Sequence, residues 1–178
     1  MGRNLQRAPT RRRRDRIHHR WVRSSRSSRC VGRKRGIQCN ALGRSRGGVS
    51  TKIHAVVDTK GRPIHVAITP GQRHEMSAAP ELLEHARGAA LIGDTGYDSN
   101  EFRRAVHRKG MKAVIHCKPE RKHYRPRLAR SLYRQRYVVE VFFHNLKRFR
   151  AVATRYEKTA RNYLALIQLA CARIWLEN

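Results

Sequence analysis

The chain has 178 residues and a formal net charge of +29, from 41 lysines and arginines against 12 acidic residues. A chain of this length usually forms one domain, and a charge of this size favours a polyanionic partner, with nucleic acid first because each neutralised phosphate releases counterions. No run approaches 18 apolar residues and the N-terminus has no apolar signal segment, which argues against a membrane-spanning or secreted protein.

Residues 1–48 differ in composition from the rest of the chain. They hold 15 Arg and one Lys, and no acidic residue lies between Asp15 and Asp58. Neither a 3.6-residue nor a 2-residue apolar repeat is present, so we predict an Arg-rich, largely disordered arm. The arm either lies along nucleic-acid backbone or is a solvated basic tail. Arg and Ser with almost no Lys are also typical of GC-rich DNA read in the wrong frame, which is a further hypothesis for residues 1–35.

From residue 49 the pattern is typical of a folded α/β domain. The segment STKIHAVVD predicts a strand with Ile53, Ala55 and Val57 on one face. The segments TKGR and PIHVAIT predict a turn and the returning strand of a hairpin. After the loop PGQRHEMS, the segment SAAPELLEHAR predicts a helix that ends at Gly88.

Strands and helices continue to alternate in the second half. AALIG predicts a buried strand, DTGYDS a loop, and NEFRRAVHRKG a helix that is capped by Ser99 or Asn100 and ends at Gly110. KAVIHC predicts another strand, KPERKHYRPR a basic linker, and two helices follow at about 129–149 and 159–176. The alternation predicts a mixed sheet with helices packed against it.

The four cysteines are widely spaced and include no C-x-x-C pair. Free thiols in a reducing cytoplasm are therefore favoured over a zinc site.

One stripe of the helix at 129–149 is polar. At 100° per residue, Arg136, Glu140 and Lys147 fall within about 60° of Tyr133. The apolar face consists of Val138, Val139, Phe142, Phe143 and Leu146. The stripe is either an ordinary surface ladder of i, i+4 ion pairs or one edge of an active site. The second acid, Asp94, supports an active site because it follows a buried strand, where open α/β sheets place catalytic groups.

These residues resemble those of a known family. Tyr133, Arg136, Glu140 and Lys147 match the Y-(2)-R-(3)-E-(6)-K signature of DDE insertion-sequence transposases. LIGDTGYDS resembles the family's segment around its second catalytic acid, and ALGRSRGGVSTKIHAVVDTKGRPIHVAITPGQRHE resembles the region between the first and second acids. The resemblance covers residues 36–178.

The resemblance implies a ribonuclease-H-like α/β fold and metal-dependent cleavage and transfer of DNA strands. Asp94 and Glu140 would be the second and third metal-binding acids, with two Mg²⁺ or Mn²⁺ ions. Arg136 and Lys147 would hold DNA phosphates, with Tyr133 beside them. The partners would be transposon ends and target DNA, and a homodimer on DNA is compatible with this reading.

The first catalytic acid of the family pattern has no clear counterpart. Asp15 lies upstream, without an apolar strand around it, and Asp58 ends a strand and enters a glycine turn, so we interpret Asp58 as a turn residue. We therefore expect an incomplete first strand and a partial catalytic domain over residues 49–178, truncated or frame-disrupted, with impaired transposition. A non-catalytic basic nucleic-acid-binding protein derived from a transposase is the alternative, and a small ribosomal-type RNA-binding protein is a third hypothesis.

Overall fold

A computed structural model of the chain describes residues 17–25, 40–45, 48–119 and 128–177. These residues form six strands: β1 (Ile17–Ser25), β2 (Gly43–Ser45), β3 (Gly48–Val57), β4 (Pro63–Pro70), β5 (Ala90–Gly93) and β6 (Lys112–Ile115). They also form six α-helices: α1 (Ala79–His85), α2 (Asn100–Arg108), α3 (Arg130–Tyr133), α4 (Tyr137–Arg148), α5 (Arg150–Ala153) and α6 (Ala160–Glu177). Single 3₁₀ turns lie at Glu75–Ser77, Thr95–Tyr97 and Arg134–Arg136. None of the described helices is long and apolar enough to cross a membrane.

The six strands belong to one mixed sheet. β3 pairs antiparallel with β1, β2 and β4, whereas β1 is parallel to β5 and β5 is parallel to β6. β1 is therefore an interior strand that joins the antiparallel half of the sheet to the parallel half. The predicted mixed α/β sheet with flanking helices is confirmed.

The structure differs from the predicted arm and from the predicted incomplete first strand. Residues 17–25 form β1, which pairs with β3 from His18 to Ser25 and with β5 at its beginning. An interior strand is held by hydrogen bonds to both neighbouring strands, and the apolar pattern of one segment does not record that pairing. Residues 1–16, 26–39, 46 and 47 of the predicted arm lie outside the described residues, and Asp15 is among them.

Helices cover both faces of the sheet. Ile53, Ala55 and Val57 share one face of β3, as predicted, and pack with Phe142 and the rest of the α4 and α6 core. Val56, which points to the other face, packs with residues of α1 and α2. The core therefore consists of two apolar layers, one on each side of the sheet.

The helices before α6 are shorter than the pattern predicts, whereas α6 agrees with the helix predicted at about 159–176. The helix predicted at about 129–149 is divided into α3, a 3₁₀ turn and α4. α2 ends at Arg108, before Gly110, which has a positive φ of 73°. Ser99 caps α2, because its Oγ accepts a hydrogen bond of 3.2 Å from the backbone N–H of Phe102.

A buried arginine ties the beginning of β3 to the C-terminal helices. Arg155 is 1% exposed, and its guanidinium lies 4.6 Å from the ring centroid of Tyr163. Nη2 donates to the carbonyl oxygen of Asn40 at 2.7 Å, and Nη1 donates to the carbonyl oxygen of Ala41 and the hydroxyl of Thr51. The planar group thus satisfies acceptors on two segments that are distant in sequence.

We expect Arg155→Lys to lower the free energy of unfolding by about 3 kcal/mol, because one ammonium cannot reach acceptors that a planar fork reaches together. Urea unfolding followed by circular dichroism measures the change. The control is Arg161→Lys at an exposed position, for which we expect a change within about 0.5 kcal/mol. Equal stabilities of the two variants would contradict this role of Arg155.

Candidate active site

The end of β5 determines where Asp94 lies. Ala90 and Ile92 pack on the side of the sheet that carries α3, whereas Leu91 packs beneath α1 and α2. Because successive residues of a strand alternate between faces, Asp94 leaves the sheet on the side of α3 and α4. Its carboxylate Oδ1 accepts a hydrogen bond of 2.9 Å from the backbone N–H of Thr95 and so caps the following 3₁₀ turn.

Arg136 joins Asp94 to Glu140. Its Nη1 lies 3.4 Å from Oδ1 of Asp94, and its Nη2 lies 3.1 Å from Oε1 of Glu140. The side chain of Asp94 is 23% exposed and that of Glu140 is 44% exposed. The two carboxylates, from a strand end and from a helix, therefore share one guanidinium at the surface of the domain.

Tyr133 lies beside this arginine. The guanidinium carbon of Arg136 is 5.4 Å from the Tyr133 ring centroid, and the His116 ring is 5.8 Å from the same ring. Lys147 is exposed, seven residues after Glu140 and thus about 10 Å further along α4. The structure brings together Tyr133, Arg136 and the two acids. Lys147 lies further along the same side of α4.

The first acid of the family pattern has no counterpart in β1. β1 contains no Asp or Glu. Asp58 is a turn residue, as interpreted from the sequence: its carboxylate accepts from the backbone N–H groups of Lys60 and Arg62 and pairs with the Arg62 guanidinium. The described residues contain no group of three or more His, Cys, Asp or Glu side chains arranged to hold a metal ion.

A buried hydrogen-bonded network lies under the loop that follows Asp94. His54 contacts the Tyr97 hydroxyl through Nδ1 at 3.1 Å and the Thr69 hydroxyl through Nε2 at 2.8 Å. Burial lowers the pKa of His54 to about 4, and the charge of Lys52 adds to the effect. A neutral imidazole has one donor and one acceptor nitrogen and therefore links the two hydroxyls. The network fixes Tyr97, three residues after Asp94.

An ion pair extends the network. Lys52 Nζ lies 2.9 Å from Oε1 of Glu75, with both side chains largely buried. Burial raises the pKa of Glu75, but the hydrogen bond from Lys52, a backbone hydrogen bond and the charges of Lys52 and His74 together outweigh it, so the pKa is lowered. The sequence alone could have indicated this buried polar network. Lys52 and His54 are polar side chains on a buried strand and lie on the same face of β3 as Val56.

A buried ion pair between Asp98 and Arg103 holds the other end of this loop. Asp98 accepts from Arg103 Nε at 3.0 Å and from the backbone N–H of Lys118 at 2.9 Å, and Arg103 also donates to the carbonyl oxygen of Ile115. Both ionised side chains are buried. Residues 94–98 are therefore anchored to β3, α2 and the end of β6.

Comparisons with known proteins identify the family of the chain. A family model described as the transposase DDE domain matches residues 25–175. The chain belongs to this family. A protein assigned as a transposase for insertion sequence element IS6501 of Brucella ovis is 37% identical over 131 residues, which cover 72% of this chain and 99% of that protein. A protein assigned as a transposase for element IS402 of Burkholderia cepacia is 28% identical over 147 residues, 76% of this chain and 66% of that protein.

The stability of the transposase domain should fall with acid because of His54. Its pKa is about 4 in the folded chain and about 6.5 when unfolded. The unfolded chain therefore binds a proton first, and stability present above pH 6.5 is lost as the pH falls from 6.5 towards 4. We expect the His54 contribution to fall by about 2 kcal/mol between pH 7.5 and pH 5. Urea unfolding of the wild type and of His54→Gln at both pH values measures it.

The variant His54→Gln should lack this share of the pH dependence, whereas His107→Gln, at an exposed helix position, should keep it. The charged and hydrogen-bonding groups around His54, which are Lys52, Glu75, Glu81, Tyr97 and Thr69, are present in both variants. An unchanged pH slope in His54→Gln would show that His54 is not the group responsible.

Proposed function

We propose that the chain is a transposase that binds DNA and cleaves and joins DNA strands through Asp94 and Glu140. The observation that carries the proposal is the contact of both carboxylates with one guanidinium, that of Arg136. A surface ladder within one helix would explain the Arg136–Glu140 pair, but not the contact with Asp94 at the end of β5. The family supports the reaction class.

The sheet order supports a ribonuclease-H-like fold. β4, β3 and β1 form an antiparallel set, and β1 is followed laterally by the parallel strands β5 and β6. The centre of such a sheet is formed by the first strand, next to the strand whose carboxyl end bears Asp94. We infer that the catalytic centre lies where these two strands meet α4.

Asp94 and Glu140 are suitable ligands for Mg²⁺ or Mn²⁺, because both ions prefer carboxylate oxygens. The two side chains are partly exposed and already share one positive charge. When bound, divalent metal supplies an activated water or 3′-hydroxyl and stabilises the leaving oxygen of an in-line displacement. The hydrogen bond from the Thr95 N–H orients the Asp94 carboxylate, and the hydrogen bond between His54 and Tyr97 fixes the loop that follows Asp94.

DNA is the expected partner, as transposon ends and as target. Arg136 and Lys147 would contact phosphates, since guanidinium and ammonium groups bind phosphate oxygens through charge-assisted hydrogen bonds. Tyr133 keeps Arg136 beside the carboxylates through its ring. His144 and Arg148 are exposed along the same helix and would extend the contact. The assembly that we expect on DNA is a homodimer.

We expect impaired cleavage, because β1 carries no acid. β1 pairs with β5 through His18 and Ile92. If this register continued for two more residues, Arg20 would be level with Asp94. Arginine at this position supplies neither a metal ligand nor the negative charge that would attract one.

The second candidate function is binding of nucleic acid without cleavage. The observation that favours it is the acid-free sequence of β1. The net charge of +29 suffices for phosphate binding through counterion release.

A nicking assay on supercoiled plasmid with Mg²⁺ or Mn²⁺ tests the proposed function. We expect slow nicking by the wild type and its loss, by about 100-fold or more, in Asp94→Asn and Glu140→Gln, because each variant removes a charged metal ligand. DNA affinity, measured by fluorescence anisotropy without divalent metal, should remain within about threefold because neither change removes a phosphate contact. The control Glu84→Gln changes an exposed acid on α1 and should nick at the wild-type rate. Binding without nicking by the wild type would establish the second candidate instead.

A gain of activity tests the position of the missing acid. We expect Arg20→Asp to raise the nicking rate by about tenfold or more, equivalent to about 1.4 kcal/mol of transition-state stabilisation. Arg23→Asp makes the same charge change three residues, about 10 Å, further along β1 and should give no increase. Equal rates for the two variants would mean that residue 20 is not the position of the first acid.

A further inference from the structure

The contact of Arg136 with Asp94 and Glu140 places a cation of the chain itself between the two proposed metal ligands. Nη1 and Nη2 of one side chain lie 3.4 Å and 3.1 Å from the two carboxylates. Metal–oxygen distances for Mg²⁺ are about 2.1 Å, so a metal that bridged the same oxygens would draw them closer together than the guanidinium does. The arginine and the metal therefore compete for one space.

We propose that Arg136 acts as an internal counter-cation that occupies the metal position and leaves it when a DNA phosphate binds the guanidinium. The proposal rests on the proposed function, since it takes Asp94 and Glu140 as the metal ligands. It assigns to Arg136 a coupling role in addition to phosphate contact: DNA binding and metal binding become linked through one side chain.

The movement of Arg136 from the carboxylates to a phosphate links metal binding and DNA binding in both directions. A guanidinium keeps its charge at any physiological pH, so Arg136 can yield the carboxylates only by moving. With a divalent cation between the acids, an arginine that stayed in place would face like charge. A phosphate offers it a bidentate partner of opposite charge instead. DNA therefore favours metal binding, and metal favours DNA binding by the same factor.

The surroundings of Arg136 permit the movement. Its side chain is 29% exposed, so a phosphate can reach it. It lies at the end of a 3₁₀ turn that immediately precedes α4, where the backbone hydrogen bonding changes. The Tyr133 ring, at 5.4 Å, offers the cation a second contact that does not depend on either acid.

Manganese affinity of the full chain tests the proposal without any cleavage. Free Mn²⁺ is measured by electron paramagnetic resonance in titrations of the wild type, Arg136→Gln, Arg136→Lys and Arg134→Gln. Arg134 lies in the same 3₁₀ turn, is exposed, and has no ion pair with Asp94 or Glu140 in the part of the chain that the structure describes. It therefore controls for the loss of a nearby positive charge.

Without DNA, we expect Arg136→Gln to bind Mn²⁺ about tenfold more tightly than the wild type, within the usual range of coupling between two sites. Arg134→Gln should stay within about twofold, since its charge is screened by solvent. Arg136→Lys should lie between, because an ammonium keeps the charge but cannot bridge both carboxylates. Adding a short DNA duplex should tighten Mn²⁺ binding by the wild type more than binding by Arg136→Gln.

The variant Asp94→Asn distinguishes a failure of the proposed metal site from a failure of the proposed role of Arg136. If Mn²⁺ binding requires Asp94 but is equal in the wild type and Arg136→Gln, the coupling role of Arg136 is overturned and the metal site stands. If Mn²⁺ binding is unchanged in Asp94→Asn, the proposed metal site and the coupling role are both overturned.

Discussion

The rotation of α4 about its own axis is the constraint on which the candidate site depends. Val139, Phe142 and Leu146 are buried against the sheet. With 3.6 residues per turn, their burial leaves Glu140 at the edge of the apolar face. A rotation that moved Glu140 away would expose these side chains, at about 1.5–3 kcal/mol for each. Packing therefore holds Glu140 near Asp94, although the two carboxylates repel each other.

The site differs in charge from the structural ion pairs of the domain. Arg103 is paired with Asp98 and Arg62 is paired with Asp58. Arg136 instead contacts two carboxylates, one from α4, which follows its 3₁₀ turn, and one from the end of β5. Together the three side chains Asp94, Glu140 and Arg136 carry a formal charge of −1, whereas each of the other two pairs is neutral.

The sequence predicted the parts of the site that follow from local periodicity. The apolar stripe of α4 and the strand before Asp94 both have regular spacings, and Asp58 lies three residues before the glycine of its turn. The contact between Arg136 and Asp94 joins segments that only the sheet brings together. The same holds for His54 and Tyr97, whose hydrogen bond leaves no repeat in either segment. Pairings of this kind depend on tertiary structure, which a single sequence does not display.

The position of β1 and the chemistry of its side chains are subject to different constraints. Without β1, both β3 and β5 would have an unpaired edge in the middle of the sheet, so the backbone of some strand is needed there. Backbone hydrogen bonds place few demands on side-chain type, whereas metal binding needs a carboxylate at one position. The family match begins at residue 25, where β1 ends. A sequence change confined to β1 can therefore preserve the sheet and the orientation of Asp94 and Glu140 while it removes the first acid of the metal site that we propose.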